Sequence, residues 1–120
     1  MSLDRFDSSS QTIGIVAGPT SDAGIAGSIA SRAQEASAFL KALSHEGRLM
    51  ILCHLAAGPR SVTELESLLE ARQAAVSQQL ARLRLEGLVN TRREGKAIYY
   101  SIQDQRVLEL VRLLQAMFAP

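Results

Sequence analysis

Cysteine, proline and long apolar runs are all scarce in this chain of 120 residues, and each shortage excludes something. A single Cys, at position 53, cannot form an internal disulfide. That rules out a small scaffold stapled by disulfides and fits a reducing, cytoplasmic setting. With 3 Pro and 8 Gly the chain is neither collagen-like nor broadly low in complexity. No run approaches the 18 apolar residues of a membrane span. The first residues lack the basic start and apolar run of a signal peptide: the best stretch, Ile13–Val16, is interrupted by Gly14. No repeat of 20–50 residues is present. What remains is one domain's length of chain, 47% apolar, enough for one core and too little for two.

The net charge of +1 hides an uneven distribution. Residues 1–31 contain eleven Gly or Ser and carry Asp4, Asp7 and Asp22 against Arg5. Such a stretch has little apolar mass to offset ordering entropy, so it is expected to be a flexible tail. The competing reading is a short helix near Ser21–Ser31. Residues 32–120 carry 12 basic and 9 acidic side chains. Within Arg72–Lys96 the count is six basic (Arg72, Arg82, Arg84, Arg92, Arg93, Lys96) against Glu86 and Glu94.

Periodicity predicts five helices and a two-stranded hairpin. Ala33, Ala36, Phe39, Leu40 and Leu43 form an i, i+3, i+4, i+7 stripe. A second helix, Glu46–Ala57, with Ser44 as its N-cap, is apolar almost all round and is expected to be central and buried. Gly58-Pro59 stops it. Ser61-Val-Thr-Glu64 is a capping box opening a third helix to about Leu69. A fourth spans Arg72–Glu86, with Val76, Leu80 and Leu83 inward and Gly87 ending it. The period then changes to two: Leu88–Arg93 and Ala97–Ile102 flank Glu94-Gly95-Lys96, a hairpin turn. The last helix, Asp104–Phe118, opens on Asp104.

Two short helices on a tight link, followed by a basic hairpin, are the element order of a winged helix-turn-helix: mainly α, with a β-hairpin wing. The fourth helix begins with short side chains, so it can enter a major groove about 12 Å wide. Gln73 and Gln78 carry amides that can pair with an adenine edge, with Ala74 and Ser77 between them. Arg82 follows on the same helix, and Arg92, Arg93 and Lys96 lie on or beside the hairpin tip, in reach of phosphates or a minor groove. The plain alternative makes these residues solvated surface. The ordered set favours double-stranded DNA.

The wording is also that of a family. Phe39–Leu52, Ala75–Val89 and Arg93–Tyr100 resemble, in order, the helix-one-to-two signature, recognition helix and wing of the ArsR/SmtB repressors. The resemblance covers roughly residues 33–118. It implies a homodimeric transcriptional repressor released from an inverted-repeat operator by an inducer, with base contacts falling on Gln73, Ala74, Ser77 and Gln78. The family's metal sites do not carry over. Val62–Leu69 has no Cys-x-Cys pair, and the last helix has no His. His45 and His54 are nine residues apart, about 180° around a helix, and so are read as a cap-region residue and a core-edge residue rather than metal ligands. No metal or other cofactor is implied.

Met50-Ile-Leu-Cys-His-Leu55 is most similar to the SqrR/BigR-like, persulfide-responsive subgroup, which pairs a Cys in this helix with one near the end of the last helix. Cys53 matches the first. Ala119 stands about where the second should be. Cys53 is therefore the candidate sensing residue, and by its place in an apolar helix it is expected to be a small buried group facing its own core. Enzymatic function is excluded on motif: there is no glycine-rich phosphate loop, no nucleophile elbow, and no third group to orient a Cys–His pair. The alternative from another class is a winged helix that docks another regulator. Salt-sensitive retention on heparin separates it from a DNA binder.

Overall fold

The computed structural model describes residues 24–120. They fall into two units that divide between Ala38 and Phe39.

Before that division lie α1 (Gly24–Ile29), a 3₁₀ turn (Ala30–Arg32) and the start of α2 (Ala33–Leu43). Arg32 pairs with Glu35 at 2.8 Å one turn on. No residue of α1 or the 3₁₀ turn is buried. Residues 24–31 are thus helical, in line with the competing reading of a short helix near Ser21–Ser31 rather than a flexible tail; residues 1–23 of that expected tail lie outside the described residues. Once α2 is nucleated, extending it upstream costs far less than starting a new helix, and Ala and Ile in this stretch do not oppose it.

The second unit contains the end of α2, then α3 (Glu46–Leu55), β1 (Arg60–Ser61), α4 (Val62–Leu69), α5 (Gln73–Leu85), β2 (Val89–Glu94), β3 (Ala97–Ile102) and α6 (Gln105–Phe118). The five expected helices and both hairpin strands are present. The sheet has a third strand that local pattern does not announce: β1 pairs antiparallel with β3, Arg60 opposite Tyr100 and Ser61 opposite Tyr99, giving the order β1-β3-β2. Two residues have no periodicity to read, and their partners lie about forty positions away.

Helix ends follow local chemistry. The capping box of α4 forms as expected: the Glu64 amide donates to Ser61 Oγ at 3.1 Å, and the Ser61 amide donates to Glu64 Oε1 at 2.9 Å. The N-cap of α3 is His45, not Ser44. Its Nδ1 accepts from the Gly47 amide at 3.0 Å, while Ser44 Oγ donates back to the Lys41 carbonyl at the end of α2. Ser44 satisfies the helix behind it, so the next residue caps the one ahead. The same helix stops at Leu55 rather than Ala57.

Between α4 and α5 the turn is made by Glu70, held at φ +52°, the only non-glycine residue at positive φ among those described. A non-glycine side chain in this region costs on the order of 1 kcal/mol, borne here by the packing of the helices on either side. After α5 the Gly87 amide donates to Arg84 O and the Leu88 amide to Leu83 O, both at 3.0 Å, which is the Schellman pattern. Leu83 and Leu88, the two ends of that closing bond, are both buried. The motif turns the chain from the helix straight into the wing.

The hairpin closes on Gly95-Lys96, where Gly95 alone has positive φ, as a type II′ turn requires. Ile51, Leu52, Leu65, Val76, Leu80, Leu83, Val89 and Val107 are essentially inaccessible and form the centre of the core. The expectation that α3 is buried holds for Ile51, Leu52 and Leu55 only. Met50 is 41% exposed, and Cys53 is exposed.

Asp104 caps α6: its carboxylate accepts from the Arg106 amide at 2.9 Å and pairs with the Arg106 guanidinium at 2.7 Å. That side-chain bond holds the carboxyl below its ordinary 3.8, assisted by the backbone bond and the charge and opposed by partial burial. A depressed carboxylate stabilises the fold above its unfolded pKa, and the contribution fades as pH falls through the lowered value. Asp104→Asn should therefore be less stable than the parent at neutral pH, by roughly 0.5–1 kcal/mol for a pair whose guanidinium is half exposed. The gap should close in acid, as followed by urea denaturation at successive pH values.

Candidate nucleic-acid interface

Helix α5 is built to present one face and bury the other. Val76, Leu80 and Leu83, spaced i, i+4, i+7, are 1% exposed or less. Ala74, Gln78 and Arg82 fall on the opposite side and are exposed, with Ser77 half-buried beside them, while Gln73, three residues before Val76, is exposed at the open first turn. The 3.6-residue period forces this division once the inward stripe is packed on α3 and α4. No side chain caps the first turn, where Arg72 is the N-cap, so its amides face outward alongside small Ala and Ser side chains. A backbone end of this kind can approach a phosphate closely.

The wing divides the expected cations. Successive strand residues point to opposite faces, so Arg92 and Arg93 diverge. Arg92 lies opposite Tyr99 and Arg93 opposite Ile98. Arg92 is held by Glu94 on the same face at 3.0 Å, and Arg82 by Glu86 at 3.2 Å. Arg93 and Lys96 are exposed and have no carboxylate within ion-pair distance among the described residues. The structure thus brings Gln73, Ala74, Ser77, Gln78 and Arg82 together along one helix and joins it, through the Leu83–Leu88 turn, to the wing carrying Arg92, Arg93 and Lys96. Both pairs are local, Arg82 and Glu86 four apart on a helix and Arg92 and Glu94 two apart on a strand, so the spacing in the sequence is their signal.

Cys53 departs from expectation. It is exposed, on the side of α3 away from Ile51, Leu52 and Leu55, and faces an open cavity of about 910 Å³ between α3 and the end of α6. Leu49, Met50, Leu114 and Phe118 line the same cavity, as does Ala119, the position where the resembled subgroup would place its second thiol. A helix apolar on every side gives no signal of which side the core takes. The surrounding apolar groups desolvate the thiolate and push the Cys53 thiol up from its ordinary value, which leaves it mostly protonated. His45 is the helix cap described above and His54 is half-buried, and the described residues contain no cluster of three or more metal-ligating side chains.

Residues 45–91, which hold α3 to the start of β2, match the family described as bacterial regulatory protein, arsR family. The chain is 47% identical over 87 residues to the biofilm growth-associated repressor of Agrobacterium fabrum, spanning 72% of this chain and 74% of that one. It is 44% identical over 84 residues to the transcriptional activator HlyU of Vibrio cholerae, spanning 70% and 78%. Among solved structures, the transcriptional repressor BigR from Xylella fastidiosa superposes with a TM-score of 0.75 at 40% identity, covering 78% of this chain and 96% of that one. Reduced HlyU from Vibrio cholerae gives 0.73 at 40% identity, covering 78% and 98%. With the helix-turn-helix, the wing and relatives of this identity across most of their length, the chain belongs to the arsR family of bacterial regulatory proteins and is a winged-helix, DNA-binding transcriptional regulator.

Proposed function

We propose that the chain is a cytoplasmic repressor that binds an inverted-repeat operator as a homodimer, with α5 in the major groove and the wing on the flanking backbone. It acts by binding, with no catalytic step and no cofactor. The observation that carries the reading is the surface of α5: Gln73, Ala74 and Gln78 are exposed, and none of their side chains is engaged in a hydrogen bond or ion pair among the described residues. Arg93 and Lys96 supply uncommitted positive charge beside it. Of the expected contacts, Arg82 and Arg92 must exchange Glu86 and Glu94 for phosphate, so they contribute less.

The dimer surface is proposed on α6 with the end of α2. Leu110, Leu113 and Met117 form an i, i+3, i+7 stripe beside the buried Val107 and Val111. Leu113 is 54% exposed, Met117 61%, and Leu40 of α2 55%. Contiguous apolar surface of this kind marks an interface. A two-fold dimer reads half-sites about 34–36 Å apart, or a multiple of that.

Base and backbone contacts are expected to separate in binding assays. Arg93→Ala or Lys96→Ala should weaken operator and random DNA alike, and flatten the dependence on salt by about two units of slope in a dimer. Gln78→Ala should instead cost operator binding roughly 1–3 kcal/mol per base contact and spare random DNA. Titration of both duplexes at several salt concentrations checks this. Identical behaviour of all three variants would place the groove contact elsewhere.

For sensing, we propose that Cys53 forms no sulfur bridge within the chain, since such a bridge needs a second thiol with its Cα within about 7 Å. Intact mass after polysulfide treatment should show no internal sulfur bridge, and Cys53→Ser should bind operator as the parent does. Because the thiol is exposed, that substitution should also leave stability within about 0.5 kcal/mol. Operator release by polysulfide that disappears in Cys53→Ser would show that one thiol suffices.

A further inference from the structure

We infer that Arg48 is a positioning residue for operator recognition: one guanidinium fastens the flank of α5, through Gln79, to the end of α2. Arg48 is in the first turn of α3 and touches no surface assigned to DNA. Its Nε donates to the Ala42 carbonyl at 2.7 Å and its Nη2 to the Lys41 carbonyl at 3.4 Å. Its Nη1 reaches Gln79 Oε1 at 3.5 Å. The first two acceptors are last-turn carbonyls of α2, which have no partner within that helix and carry the negative end of its dipole. They anchor the arginine, and the remaining arm reaches for α5.

The contact matters because this flank of α5 borders open space. Ala75 and Gln79 border an open cavity of about 480 Å³, which faces the start of α3 from His45 to Ile51 and is closed at its base by Leu69, Ala71 and Val76. Side-chain packing fixes the inward stripe of α5 at Val76 and Leu80, and on this flank the Arg48–Gln79 contact is the side-chain hydrogen bond that joins α5 to α3 among the described residues. Gln79 lies between the buried face and the outward face, next in sequence to Gln78. A roll that lengthens the Arg48–Gln79 contact displaces Gln78 relative to a base edge, and bidentate pairing tolerates little displacement. Only a planar fork serves all three acceptors at once; a lysine has one nitrogen for them. The pair is 31 residues apart, so no local pattern signals it.

The inference rests on α5 being the groove-reading helix. The test uses the full-length chain, an operator duplex and a random duplex of equal length. The variants are Gln79→Leu, Arg48→Lys, the double variant, and Gln78→Ala as the control on that reading. Gln79→Leu and Arg48→Lys should each lower operator affinity about tenfold, with random-duplex affinity and melting temperature essentially unchanged. The double variant should be no weaker than the weaker single, since both break the same Arg48–Gln79 contact. Operator binding by Gln79→Leu equal to the parent's, or losses that multiply in the double variant, would overturn the tether alone. Full operator affinity in Gln78→Ala would overturn the groove reading and the tether with it. Should Arg48→Lys fail to fold, Gln79→Leu decides the matter by its ratio of operator to random-duplex affinity.

Discussion

Leu80→Ala is expected to destabilise the protein by about 2–5 kcal/mol, a large part of the 5–15 kcal/mol typical of a domain. Leu80 is fully inaccessible and belongs to the cluster formed with Leu52, Leu65, Val76 and Leu83. Removing three carbons there leaves a void at the junction of α3, α4 and α5. The turn at Glu70 ties α4 directly to α5, which hinders their collapse onto the gap. Urea unfolding at a fixed protein concentration measures the effect, since stability of an oligomer depends on concentration. A loss below about 1 kcal/mol would mean that α5 settles into the space and that its placement is softer than described.

Leu113→Glu combined with Met117→Glu is expected to convert the proposed dimer to monomers and to lower operator affinity by about 10²–10⁴-fold. That is the range by which linking two binding units raises affinity over one unit alone. Both side chains are more than half exposed in the protomer, so the fold itself should change by no more than about 0.5 kcal/mol. Light scattering reports the mass, circular dichroism the helix content, and a gel shift the affinity. A double variant that remains dimeric, or a monomer that binds the operator as tightly as the parent, would move the interface away from α6.

Most of the secondary structure was legible from the sequence because its causes are local. The capping box at Ser61 and Glu64, the glycine at 87 that ends α5, the Asp104 cap and the period-two runs around Gly95 each depend on residues within a few positions of one another. The inward stripe of α5 is likewise a matter of spacing, and with it the outward position of Ala74 and Gln78. Where one helix is amphipathic, sequence determines which side meets the core.

Tertiary structure decided what spacing leaves degenerate. α3 has apolar residues on every side, so periodicity alone could not say whether Cys53 faces the core or the cavity beside Ala119; the packing of Ile51, Leu52 and Leu55 decided it. The β1–β3 pairing joins residues about forty apart, and the Arg48–Gln79 contact residues 31 apart. The ordering entropy of such contacts is met by the whole core rather than by their neighbours in sequence. Even the choice of His45 over Ser44 as a cap depended on α2 ending where Ser44 Oγ could reach the Lys41 carbonyl. Elements and their faces came from local chemistry, whereas the partners across them came from the one arrangement in which all those faces are buried together.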